Sequence, residues 1–148
     1  IYSSARTDLV VDVTGNYPST TSFNPLVPAR LLDTRPDGVT VDGQHRATGV
    51  VSASDFYELP VTGRGLVDVD ASAVVLNVTA VKPNAQGFLT VWPCGEPMPI
   101  ASSVNYFAGQ VIANAVIAKA GTGGKVCIYS SARTDLVVDV TGNYPNRG

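Results

Sequence analysis

The eighteen residues Ile1 to Pro18, IYSSARTDLVVDVTGNYP, return without one change at Ile128 to Pro145. Identity over so long a stretch marks a chain assembled from repeated units. The spacing predicts one complete repeat preceded by the last segment of an identical neighbour. The organisation expected is a terminal strand segment of the preceding repeat at 1–18, a linker at 19–22 and a complete repeat at 23–148. Ser19-Thr20-Thr21-Ser22 is small and polar, as a short linker should be. Cys127 directly precedes Ile128, so the first copy starts one residue after the place of its own cysteine, and the chain reads as an excerpt from a tandem array. Asp8 to Thr14 and Asp135 to Thr141 then compete for one slot in one sheet. The copy that fails to fill it is left to pair with an outer edge or with another molecule.

The rest of the chain reads as strands. Leu9 to Val13 is a β-branched run closed by the turn signal Thr14-Gly15-Asn16. Ala29 to Arg35 runs into the turn Pro36-Asp37-Gly38, and Val39 to Gly43 is a short edge-like segment. Phe56 to Val61 alternates until Thr62-Gly63-Arg64-Gly65 breaks it. Ala73 to Val81 carries the strongest signal, because Val74, Leu76, Val78 and Ala80 make one wholly apolar side that should face a core. Phe88 to Trp92 returns after the loop Lys82 to Gly87, which predicts a hairpin with that strand. Ser102 to Tyr106, Lys125 to Tyr129 and Asp135 to Thr141 are further strands. The alanines of Gln110 to Lys119 favour helix, but Val111, Ile112, Val116 and Ile117, bounded by Gly109 and Gly121, favour strand. About ten short strands with no helical periodicity predict an all-β, antiparallel two-layer β-sandwich or jelly roll, with a barrel as the alternative.

A chain that is 45% hydrophobic and only 15% charged is not a disordered one. Its ten basic and twelve acidic residues are spread along the chain for a net charge of −2, so it carries no footprint for a phosphate backbone and nucleic acid is not an expected partner. No apolar run approaches the roughly 18 residues that span a bilayer, so no membrane insertion by this segment is expected. Cys94 and Cys127 are expected to be bonded, closing a loop worth roughly 3–4 kcal/mol by chain entropy. Two buried free thiols are the alternative, and a bond would place the protein outside the cytoplasm.

Arg30, Asp33 and Arg35 form the densest charged cluster. Guanidinium forks can hold a carboxylate or a sugar there, or the three can form a structural ion pair with Asp139 that pins the start of the domain. Asn77 and Asn114 sit mid-strand among apolar neighbours, where their amides need partners. Asn77-Val78-Thr79 also matches a glycosylation sequon, at an unfavourable mid-strand position. Tyr57, Trp92, Phe88, Tyr106 and Phe107 can stack on a sugar ring or fill a core. The sole histidine, His45, has no nucleophile motif around it, so no catalytic triad is expected. The aspartates lack the spacing of a calcium loop, and there is no C-x-x-C or H-E-x-x-H, so neither a metal nor another cofactor is expected.

The segments ARLLDTRPDG (29–38), VVLNVTAVKPNAQGFLTVWPCG (74–95), VNYFAGQVIANAVIAKAG (104–121) and GKVCIYSSARTDLVVDVTGNYP (124–145) together resemble a tandem repeat of secreted, multi-domain bacterial surface proteins. The resemblance covers nearly all of 23–145 and implies a location and a modular use rather than a ligand. The expectation is a non-catalytic extracellular repeat that builds a surface stalk or adhesive arm, its partners being neighbouring copies met through the 1–18 and 128–145 strand. A carbohydrate-binding module using Tyr57, Trp92 or the Arg30–Arg35 cluster is the alternative.

Overall fold

The apolar side expected on Ala73–Val81 is the floor of the core: Val74, Leu76, Val78 and Ala80 are all fully buried. The computed structural model of the protein describes residues 1–9, 11 and 22–146. Its strands are β1 (Asn24–Asp33), β2 (Asp55–Pro60), β3 (Ala71–Val81), β4 (Gly87–Pro93), β5 (Val104–Tyr106), β6 (Val111–Lys119), β7 (Lys125–Ser130) and β8 (Asp135–Pro145). They form two antiparallel four-stranded sheets, ordered β1-β8-β3-β6 and β2-β7-β4-β5. The hydrogen-bonded pairs β1·β8, β2·β7, β3·β6 and β4·β5 are those of one long hairpin folded over on itself. That winding is the jelly roll, and the two sheets close on a core that includes Leu31, Leu59, Leu76, Leu89, Ile128, Leu136 and Val140.

The trailing copy of the duplicated segment fills the contested slot. β8 lies between β1 and β3 and is paired on both sides along most of its length. Of the leading copy, the described residues 1–9 and 11 form no strand. The rest of the strand expected at Leu9–Val13, the turn at 14–16 and most of the linker at 19–22 lie outside the described residues.

Four expectations are corrected. β3 and β4 are not a hairpin: they belong to different sheets, and the loop from Lys82 crosses between them because the two partners of β3 are β6 and β8. Val39–Gly43 is not a strand. Its backbone turns at Gly43, its Thr40 hydroxyl donates to the Gln44 carbonyl at 2.7 Å, and its Asp42 is engaged by Arg64. The Thr-Gly-Asn signal does not end β8, which runs on through a bulge between its Val75 and Leu76 pairings. Gly142 is needed there because a Cβ would meet the Phe23 ring at 2.6 Å. β1, finally, starts earlier than expected, since an edge strand tolerates Pro25 and Pro28 and a bulge between Pro25 and Ala29 absorbs them.

Candidate functional site

The charged cluster does come together, at the far end of β1. Arg35 donates from Nε and Nη2 to the two Asp33 oxygens at 2.9 and 2.7 Å, and Asp33 is buried. Arg30 donates from Nε to Asp139 Oδ1 at 2.9 Å and reaches Asp33 at 3.5 Å, so it ties β1 to β8 across their paired positions. The Arg35 hydrogen bonds hold the Asp33 carboxyl below the usual carboxylate range, and the bond to Asp139 raises Arg30. The ion pair with Asp139 weighed from the sequence is therefore present, with Asp33 as a second anchor. Arg30 and Arg35 also line a surface depression of about 550 Å³, together with Thr79, Lys82, Asp135 and Val137.

Tyr57 and Trp92 do not join that cluster or each other. Residues alternate across a strand, so on β2 Tyr57 packs against the core while Phe56 turns outward onto Trp92, at a ring separation of 5.7 Å. The Tyr57 hydroxyl meets His45 Nδ1 at 2.8 Å. Burial, and then the charge of Arg64, lower the His45 pKa. Trp92 is nearly covered, donates its Nε1 proton to the Glu96 carbonyl at 3.0 Å, and packs with Tyr129 on the Cys94–Cys127 disulfide. Phe88 lies 5.9 Å from Tyr129. The outer face of the second sheet thus carries two aromatic pairs, Phe56–Trp92 and Phe88–Tyr129, with Phe56 half exposed. Tyr106 is instead a core residue whose hydroxyl meets Ser130 and accepts from the Ala132 amide, and Phe107 lies in an exposed loop.

Asn114 has the tethering role expected of it, donating to the Ser103 carbonyl at 2.8 Å. Asn77 is half-buried on the outer face of the first sheet, opposite Asp139 and Ala115, where solvent reaches its amide and the cost of an unpaired buried group does not arise.

Sequence reasoning missed the strongest polar node. Arg64 is buried and donates to both Asp42 oxygens at 2.7 and 3.0 Å, to the Pro60 carbonyl at 2.8 Å and to the Leu31 carbonyl at 2.9 Å. It binds the loop after β1 to the end of β2, and its hydrogen bonds lower the Asp42 pKa to about 2. The signal was the Gly63-Arg64-Gly65 triplet, in which both glycines take positive φ. Gly65 is required, because a Cβ would meet Ala29, Leu31 and Val140 at about 3.0 Å.

Among the described residues no group of three or more metal-ligating side chains comes together. No protein-family model matches the chain, and neither does any curated protein. The formed disulfide in a small β domain is compatible with an extracellular protein, and no described helix is long and apolar enough to cross a membrane.

Proposed function

We propose that the chain is a non-catalytic repeat module of an extracellular surface array, with neighbouring copies of itself as its partners. The observation that carries this reading is the duplicated segment. In this module it is the central strand β8, so the leading copy is read as the β8 of a module that precedes it. Leu9 and Val11, which correspond to the fully buried Leu136 and Val138, are largely exposed, as residues cut off from their own sheet would be. The ion pairs of Arg30, Asp33 and Arg35 and the bonds of Arg64 support a structural use of the charges. The test is to place residues 19–127 ahead of Ile1, which supplies the rest of the preceding module. Leu9 and Val11 should then become protected from solvent and the unfolding enthalpy should roughly double. Unchanged exposure at both positions would end the reading.

A second reading, a carbohydrate-binding module, is favoured by one observation: the paired aromatics Phe56–Trp92 and Phe88–Tyr129 on an outer sheet face. An aromatic face suits the apolar side of a sugar ring. A glycan array on which the wild type gives no signal that Phe56→Ala removes counts against it.

A further inference from the structure

The point at which the chain enters and leaves the module limits how modules can be arranged, given the array reading above. β1 and β8 are antiparallel neighbours whose outer ends meet. Asn24 is paired with Asn143 and donates from Nδ2 to its Oδ1 at 3.3 Å, and the Phe23 ring lies 5.2 Å from that of Tyr144. The chain therefore enters at Asn24 and leaves at Pro145 at one end of one sheet.

From Pro18, the counterpart of Pro145, to Asn24 there are six peptide steps, which reach at most about 20 Å however they run. From Asn24 to Pro145 adds about 8 Å, one strand spacing and two residues of rise. Corresponding ends of consecutive modules are thus no more than about 30 Å apart. An exit at the opposite end would add instead the length of β8, whose 11 residues span roughly 36 Å, for about 55 Å per module. A linker this short at a shared end does not string modules end to end.

The same end of the molecule carries aliphatic side chains that the fold leaves in solvent. Val27 lies in the β1 bulge, across from the Gly142–Val140 stretch of β8. Leu66 and Val69 lie on the loop after β2, which is fastened there by Gly65 against Ala29 and Val140 and by the Asn143 Nδ2 bond to Asp68 at 2.7 Å. The three are 78%, 76% and 83% exposed. Leu66 also takes a φ of 69°, a left-handed conformation that strains a leucine and that asparagine or glycine adopts more readily. A leucine held there and turned to water serves neither the backbone nor the core.

We propose that consecutive modules abut side by side at this shared end, with Val27, Leu66 and Val69 facing the neighbouring module. The array is then short and broad, and tension on it peels β1 from β8 one hydrogen bond at a time rather than shearing the pair along its length.

The test is a four-module chain, residues 1–145 followed by three further copies of 19–145, measured by small-angle scattering and electron microscopy. The expected longest dimension is below about 140 Å, against about 200 Å for modules strung end to end. Folded modules seen as separate beads that do not touch their neighbours overturn the side-by-side arrangement and leave the array reading standing. Appended copies that do not fold remove the array reading and the inference with it. In the same chain, Leu66→Asn with Val69→Asn in every module should leave each module's Tm unchanged or higher and increase the radius of gyration. An unchanged radius would overturn the role given to those side chains.

Discussion

Leu9 and Leu136 stand at equivalent places in two identical eighteen-residue segments, yet Leu9 is 59% exposed and Leu136 is not exposed at all. Val11 and Val138 differ in the same way, 67% against 0%. Intrinsic preference cannot explain the contrast, because every local determinant is shared. What differs is company. The trailing copy is flanked by β1 on one side and β3 on the other, lays Leu136, Val138 and Val140 into the core, and follows a strand tethered through Cys127. A β-strand preference is a preference for a pleated, half-buried surface to lie on, and the place between β1 and β3 that offers one is taken by the trailing copy.

The comparison breaks most directly under a single charge. Val138→Asp puts an unpaired carboxylate into the core at a cost of several kcal/mol, comparable to a domain's whole stability, and should leave little folded protein at 25 °C. Val11→Asp, the same change in the leading copy, should change the unfolding free energy read from urea melts by no more than an exposed substitution does, about 0.5 kcal/mol. Circular dichroism on the two variants distinguishes them, and equal damage from both would contradict the assignment of the slot.

Next in size is the tether. Replacing Cys94 and Cys127 together by alanine should cost about 3–4 kcal/mol in the chain-entropy account of a 33-residue separation, read from urea melts under non-reducing conditions. Arg64→Ala follows, at about 2–3 kcal/mol, because it strands Asp42 and the Leu31 and Pro60 carbonyls, which lie on β1 and β2, the edge strands of the two sheets. The Asp42 pKa is lowered on folding, from 3.8 to about 2. Its contribution is therefore present above about pH 4 and is lost as the pH falls toward 2, on the order of 1 kcal/mol once solvent screening is allowed for. Asp42→Asn should flatten that part of the stability–pH curve. The smallest effect is expected from deleting residues 1–18, which should change the unfolding free energy by less than about 0.5 kcal/mol.

How much of this was legible in the sequence depends on how local the determinant is. The buried side of β3 shows in the alternation of Val74, Leu76, Val78 and Ala80, and the disulfide in the two cysteines. Sheet membership does not show. Lys82–Gly87 reads the same whether the chain doubles back in one sheet or crosses to the other, so the β3–β4 hairpin was the wrong inference. The cluster of Arg30, Asp33, Arg35 and Asp139 was readable because three of its members are close in sequence. Arg64 and Asp42 were not, being joined only by the fold, and neither was the turn of Phe56 onto Trp92. Val39–Gly43 was misread because its residues suit a strand, while the polar partners that bend it, Gln44 and Arg64, lie outside it.

Residue-resolved amide exchange by NMR at Val11 and Val138 puts the central comparison to its most direct test, since the two positions share their sequence neighbours and hence their intrinsic exchange rates. The Val138 amide should exchange only through global unfolding, and the Val11 amide at close to the rate of an unstructured peptide. Comparable protection at both positions, or two sets of signals from copies that trade places in the slot, would contradict the account.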